Sequence, residues 1–464
     1  MGVVSMLLVS TVTPATPTLP MNRIHKLSNL DLHVSFDYYT KQVYYFPPPA
    51  PIDDPQHEKP IEEIASSLKA SLSQTLVLFN VFAGRVRENG PRLEIECNDR
   101  GVPFLVATAD ASFSDWGDLA RCSIEHELNP GETYITNPVD SPLLKFQLTR
   151  FNCGGIALGV VTAELIVDGS SYFEFMRCWS QIHKGSSPRD LTPPVFDSSL
   201  LKAREPPQIT IPVRDYTSSP KPSTDAMGKS SQEHNASAKP TLVKLFEMDP
   251  PQVDSLIREI QSGPFGFDTP SSFEATCAMI WKAMTEARGL PDSTLTTYVY
   301  AISLKAKNRW NPPIPAAYIG NSAHSPCLSA SAGEIKSNHV SYVARLFRQD
   351  IRTTTPEHIQ SAIDWMELEI IRGRKINFNC DFVGGTGVYS TSLHTFPVYG
   401  VDLGMGRPVH YSLVMQPWYG NGVAIVLPTP KGGRSRRLLV SLPREEMRKL
   451  CENELFQKFT TAVL

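Results

Sequence analysis

Apolar side chains recur along this chain in two rhythms, and each rhythm predicts a different element. From Pro60 to Phe79 they fall at Ile61, Ile64, Leu68, Leu72 and Leu76, the spacing of one helix face. Val43 to Phe46 is a compact apolar run stopped by three prolines, which reads as a strand. Arg92–Cys97 and Val102–Ala107 read as a hairpin around Asn98-Asp99-Arg100-Gly101, and Leu144–Thr149 with Ile156–Val161 as a second pair turning at Cys153-Gly154-Gly155. Beyond Val161 the rhythm lengthens again. Tyr172, Phe173, Met176 and Trp179 share one helical face, with Ser171 and Glu174 spaced as a capping box. Further on, Val253–Ile260, Phe273–Arg288 and Thr355–Ile371 predict helices, while Thr296–Leu304, Gly422–Leu427 and Leu438–Leu442 predict strands. Strands alternating with helices make an α/β protein.

One stretch breaks the pattern. From Gly185 to Lys239 the chain carries Pro193-Pro194, Pro206-Pro207, Pro220, Pro222 and many serines, with no helical period. A structureless run of that length predicts a crossover between two units. The expected division is a first domain over 1–185, a crossover over 186–242 and a second domain over 243–464.

Composition changes this picture little. At 464 residues there is material for two cores, and a formal charge of −3 gives no general attraction to nucleic acid or anionic membrane. No run of 18 apolar residues is present, so no membrane-spanning helix is expected. The apolar start, Gly2–Ser10, lacks a basic n-region and predicts a first strand. Eight cysteines without a CxxC pair point to reduced thiols and a cytoplasmic protein, with Cys97, Cys153, Cys178 and Cys277 as small buried hydrophobes. The Asn235-Ala-Ser237 sequon carries little weight in such a compartment. Eleven histidines are dispersed without metal-ligand spacing and read mostly as surface or loop residues. There is no G-x-S-x-G elbow, no H-E-x-x-H and no Walker sequence, and Gly384-Gly-Thr-Gly387 lacks the strand and helix that would make it a phosphate loop.

The segment Thr162-Ala-Glu164-Leu-Ile-Val-Asp168-Gly169 sets two acids where an apolar strand meets a helix, a usual place for chemistry in α/β proteins. Around it, further segments resemble the BAHD family of plant acyl-CoA-dependent acyltransferases. They are Leu27-Ser-Asn-Leu-Asp-Leu32, Leu68-Lys-Ala-Ser-Leu-Ser73 leading to Ala83-Gly-Arg-Val-Arg87, Thr149-Arg-Phe-Asn-Cys-Gly-Gly155, Asn311-Pro-Pro-Ile-Pro315 with Gly320-Asn321, and Val401-Asp-Leu-Gly-Met-Gly-Arg-Pro408. Their order spans nearly the whole chain. Two family hallmarks differ. The motif His-x-x-x-Asp followed by Gly here begins with Glu164, and Asp-Phe-Gly-Trp-Gly here reads Asp402-Leu403-Gly404-Met405-Gly406.

The resemblance implies a chloramphenicol acetyltransferase-like fold of two similar domains, each a mixed sheet with flanking helices, and a channel between them. It further implies a monomer with no permanently bound cofactor. Acyl-CoA would be the cosubstrate, and a small alcohol or amine the acceptor. Glu164 takes the position of the catalytic base. A carboxylate is ordinarily about two pKa units less basic than imidazole, and burial would restore part of that basicity. Two readings stay open at this point: a working base, or an idle or repurposed residue. Asp168 would be structural and paired with Lys307 or Arg309, and Gly169 would permit the turn into the helix. Asp402, Gly404 and Gly406 would fix a loop across the domain interface, with the backbone around Gly404 helping to organise the site. Thr391 and Ser392 match polar positions of the substrate site. For the CoA phosphates, Lys431 and Arg434 in the cluster 431–437 are the basic candidates. His394 and His410 bracket the Asp402 loop and could stand in as a displaced histidine. Besides acyl transfer, a lyase acting on a carboxylated metabolite and a non-catalytic accessory of fatty-acyl elongation are alternatives.

Overall fold

The computed structural model describes residues 4–33, 39–48, 59–112, 125–131, 135, 137, 139–220, 241–265, 268–381, 385–415 and 421–463. Cys122, the sequon at 235–237 and Gly384 lie outside them. Two mixed sheets form the frame. The first runs in the spatial order Val4–Val12, Val102–Ala109, Leu144–Phe151, Ile156–Ala163, Tyr39–Phe46, His410–Leu413. Only Val102–Ala109 and Leu144–Phe151 lie parallel in it. The second runs Cys327–Ser331, Leu295–Tyr300, Gly387–Ser392, Val423–Pro428, Arg436–Pro443, Thr241–Met248, Thr461–Ala462.

Alternation along the strands explains how the two units meet. Val423, Ile425 and Leu427 join the core that holds the first sheet, the helix Ile61–Leu78 and the helix Gly169–His183. Their neighbours Ala424 and Val426 belong to the core under the helices Pro250–Gln261 and Ser272–Arg288. Side chains of a strand point alternately to its two faces, so the second sheet is apolar on both and has one face turned to the first unit. A strand from the later half, His410–Leu413, also completes the first sheet by pairing with Gln42–Tyr45. The units therefore exchange chain as well as surface, which the sequence reading does not anticipate.

Two local expectations are overturned. Arg92–Glu96 and Val102–Ala109 do not form a hairpin; the first pairs with Ile24–Lys26 and Arg85–Asn89, the second with Val4–Val12 and Leu144–Phe151. Asp99 and Gly101 adopt positive φ and turn the chain from one sheet into the other, while Asp99 accepts hydrogen bonds from the Thr18 amide and hydroxyl. The real hairpin turns at Gly90-Pro91, between the paired Asn89 and Arg92, where Gly90 supplies φ of 60°. The second concerns the motif helix, which is capped by Asp168 rather than by Ser171 with Glu174; Glu174 pairs with Arg177 instead. Cys153, expected in a core, sits exposed in the turn after Leu144–Phe151, and the seven described cysteines are free thiols.

The crossover is more structured than its composition suggests. Tyr216–Pro220 pairs with Arg374–Phe378, Leu201 is buried, and Asp364 receives the Arg204 guanidinium at 2.6 Å. Prolines prevent a helix there, yet buried anchors hold the path over the second unit.

Candidate functional site

The strand Ile156–Ala163 is buried along its whole length and ends at Glu164, the first residue of a short 3-10 turn. Asp168 then caps the helix Gly169–His183 by accepting the Ser171 amide at 2.8 Å and the Ser170 hydroxyl at 2.8 Å. Its other oxygen accepts the Ser322 amide at 3.0 Å and hydroxyl at 2.8 Å. Asp168 is thus held by four neutral donors from both units. Neither expected cation reaches it. Lys307 is exposed, and Arg309 donates to the carbonyls of Ile351 and Thr354. The lysine in its field is Lys305, whose ammonium donates to Tyr318 O at 2.7 Å; burial lowers its pKa, opposed by the charges of Asp168 and Glu174. Gly169 also has a different reason from the expected one. It has no positive φ, but a Cβ there would lie 2.9 Å from the Phe396 ring and 3.3 Å from Leu393. Glycine permits the close approach of the two units, rather than a turn.

Glu164 is partly accessible and accepts a hydrogen bond from the Thr40 hydroxyl, supplied by the neighbouring strand Tyr39–Phe46. Its backbone carbonyl accepts the Asn321 side-chain amide at 3.0 Å. Asn321 also donates to Asp31 through its backbone amide at 2.6 Å and its side chain at 3.1 Å, so one residue ties the Glu164 turn to the helix Asn29–His33. Tyr389 completes the surroundings: burial raises its pKa, and the Glu164 carboxylate adds to that rise. Among the described residues no lysine, arginine or histidine pairs with Glu164. Desolvation accordingly pushes its carboxyl above the ordinary 4.5, and the Thr40 hydrogen bond only partly opposes the rise. Such a group accepts a proton more readily than an ordinary glutamate.

The other candidates divide by place. Val388 belongs to the core of the second unit and Tyr389 packs against that of the first, so the faces alternate there. Thr391 shares the Tyr389 face, towards Glu164, whereas Ser392 shares the opposite one. Asp402 lies at the far end of the motif helix. It receives Lys184 Nζ at 2.6 Å and the Gly404 amide at 3.1 Å, and its backbone exchanges hydrogen bonds with Ser180 Oγ at 2.6 and 3.0 Å. Gly404 needs its φ of 77°, and a Cβ would meet His183 Nε2 at 3.0 Å. Gly406, at φ of 80°, has open space around it. A helix of 15 residues separates this loop from Glu164, about 22 Å at 1.5 Å per residue. The backbone around Gly404 therefore does not organise the groups around Glu164.

Lys431 and Arg434 stand exposed in the turn between Val423–Pro428 and Arg436–Pro443. Lys431 is paired with Glu247 and Asp249, and Arg434 with Asp254. A phosphate there would have to compete with these acids. Neither bracketing histidine stands beside Glu164. His394 lines a half-open recess of about 200 Å³ with Phe396, Tyr399 and Pro428. His410 pairs opposite Tyr45, five residues along its strand from Thr40 and roughly 17 Å away. Its Nδ1 faces Arg437 at 3.1 Å, and burial lowers its pKa to about 3.

Three residues escaped the sequence reading: Thr40, Tyr389 and the amide of Asn321. Asn321 was flagged within Gly320-Asn321, without a role. The histidines also hold a surprise. His324 and His358 are buried and both face the buried carboxylate of Asp215, at 3.2 and 2.9 Å.

Solved structures share this architecture of two mixed sheets. Vinorine synthase superimposes with a TM-score of 0.73 at 20% identity, covering 97% of this chain and 98% of its own. TRI101 of F. graminearum, solved with coenzyme A and deoxynivalenol, gives 0.74 at 16% identity over 95% and 99%. The chain belongs to the Transferase family of BAHD acyltransferases, which matches residues 3–456. Relatives include a hydroxycinnamoyltransferase of Narcissus pseudonarcissus, 32% identical over 448 residues and covering 94% of this chain and 96% of the relative. The shikimate O-hydroxycinnamoyltransferase of Nicotiana tabacum is 30% identical over 455 residues, 97% of each.

Proposed function

We propose that this protein transfers an acyl group from a CoA thioester to a small alcohol or amine, with Glu164 as general base. The observation that carries the reading is the Glu164 carboxylate itself. It stands at the strand–helix junction, oriented by Thr40, bare of any cationic partner among the described residues, and with its proton affinity raised. A group so placed can take the acceptor's proton as the acceptor attacks the thioester carbonyl. Collapse of the tetrahedral intermediate then expels the CoA thiolate, which takes up a proton. Asp168 and Asn321 act as positioning residues, fixing the turn that presents Glu164. Thr391, on the Tyr389 face, is the better placed of the two polar candidates for touching substrate.

The names of the relatives favour bulky aromatic donors of the hydroxycinnamoyl kind. In this reading the protein is a cytoplasmic monomer of two units, 1–185 and 243–464, linked through 186–242. Acyl-CoA is a cosubstrate, and nothing is held permanently. No observation among the described residues favours a lyase or an elongation accessory. The test is thiol release from hydroxycinnamoyl-, benzoyl- and acetyl-CoA with a panel of acceptors. Acceptor-dependent release that Glu164→Gln abolishes is expected. Release that survives this substitution at the wild-type rate overturns the role of Glu164, and absence of release with every pair overturns the reaction.

A further inference from the structure

We infer that the acceptor is an aliphatic amine carrying a positive charge, selected by Glu164. The inference rests on the acyl-transfer reading and narrows its acceptor. Its basis is a charge imbalance. A partly buried carboxylate is costly unless it is paired, and three others in this protein are well held: Asp168 has four donors, Asp364 has Arg204 and Asp402 has Lys184. Among the described residues Glu164 has one hydroxyl. The groups behind it deepen the imbalance, because Asn321 bridges to the buried carboxyl of Asp31 and the adjacent Ser322 holds Asp168. Lys305, a cation in the field of Asp168, spends its ammonium on the carbonyls of Tyr318 and Ala316. An incoming alkylammonium supplies the missing charge and a donor together. An alcohol supplies only a donor, and an arylamine is uncharged at neutral pH.

The reaction balances without a further reagent. Glu164 takes one proton from the ammonium, which frees the nitrogen lone pair. The nitrogen attacks the thioester carbonyl and the C–N bond forms. As the intermediate collapses the C–S bond breaks, and a second nitrogen proton goes to the departing thiolate. The products are an amide, CoA–SH and one proton, which Glu164 returns to solvent.

Matched probes test this. Thiol release is measured with 2-phenylethylamine, 2-phenylethanol and 4-ethylaniline, and with 1,4-diaminobutane against 1,4-butanediol, each with p-coumaroyl-CoA. Binding of the same acceptors is followed by calorimetry on wild type and Glu164→Gln. The alkylamines are expected to react and to bind, and Glu164→Gln to weaken their binding by roughly 30-fold or more while leaving alcohol binding unchanged. Glu164→His is expected to shift the preference towards alcohols. Equal or better use of alcohols or of 4-ethylaniline by wild type overturns the inference and leaves acyl transfer standing, as does amine binding insensitive to Glu164→Gln. No release with any member overturns the inference, and the wider panel of donors and acceptors then decides the acyl-transfer reading. Thermal unfolding of both variants separates lost binding from lost folding.

Discussion

Two carboxylates of this protein are set in opposite surroundings. Asp215, in the crossover, is wholly buried against the second unit and accepts from three donors: His324 Nε2 at 3.2 Å, His358 Nε2 at 2.9 Å and the Cys327 amide at 3.0 Å. The Ser325 amide donates to the Tyr216 oxygen, which in turn lies within hydrogen-bond distance of His324 Nδ1, at 3.2 Å. The hydrogen bond to Asp215 raises the pKa of His358 and favours its imidazolium form. Burial alone would raise the Asp215 pKa, but the donors win and hold it well below the carboxylate range. Glu164 has one hydroxyl and a raised pKa. The same chain surrounds one buried acid with donors, and among the described residues leaves the acid at the strand–helix junction with a single one. The contrast teaches that incomplete satisfaction, more than burial, is what singles out Glu164 as the proposed base.

Substitution should split the two most widely. Glu164→Gln is expected to lower the rate of acyl transfer by about 10²- to 10⁴-fold, the usual worth of a general base, while the thermal midpoint stays level or rises. Steady-state thiol release and a melting curve on one preparation measure both. Asp215→Ala should do the reverse. Removing one member of a buried ionic cluster leaves the imidazolium unpaired and costs about 3–5 kcal/mol of stability, with the turnover of the remaining folded protein unchanged. A Glu164→Gln protein that melts far below wild type, or an Asp215→Ala protein that folds well but is inactive, would erase the distinction.

pH sharpens it further. His358 is raised above its ordinary 6.5 by its hydrogen bond to Asp215, so its contribution is complete below that value and fades as pH climbs through the raised pKa. Asp215 is lowered from 3.8, so its contribution is present above that value and fades as pH falls towards the lowered one. The cluster should therefore stabilise most in mildly acidic solution, and the stability difference between wild type and His358→Gln should shrink on the alkaline side. In the proposed reaction Glu164 works the other way, as a base that must be ionised. Activity should rise with pH through its raised pKa, and Thr40→Val, by deleting the donor that lowers it, should move that limb to higher pH and reduce the rate at neutral pH by roughly tenfold.

How much of this was legible beforehand follows from the range of each interaction. The helices Ile61–Leu78 and Ser272–Arg288, and the junction at Glu164, were readable because their signals are local: a 3.6-residue period, or two acids at a strand end. The hairpin at Asn98–Gly101 was misread because positive φ also serves to pass a chain between sheets, and the Gly90-Pro91 turn was overlooked. Thr40 meets Glu164 across 124 residues and Asn321 across 157, and His324 and His358 converge on Asp215 from two elements. No periodicity records such meetings. The expected pairing of Asp168 with Lys307 or Arg309 failed for the same reason, since sequence proximity to a motif does not say where a long side chain ends.

A third acid gives the smallest effect and the sharpest geometric test. Asp402 is about 30% exposed and Lys184 about 53%, so their ion pair is screened by solvent and belongs to the class worth roughly 0–1 kcal/mol. Lys184→Ala should therefore lower stability by less than about 1 kcal/mol, and Asp402→Asn by about as much, because asparagine can still accept the Gly404 amide. Neither should change the rate of acyl transfer by more than about threefold, because the loop lies one helix length, about 22 Å, from Glu164. Chemical denaturation and saturating-substrate kinetics on the two variants decide the point. A large fall in kcat with an unchanged KM would mean that the Asp402 loop reaches the chemistry by movement along the motif helix, and two carboxylates at opposite ends of Gly169–His183 would then have to be counted as one site.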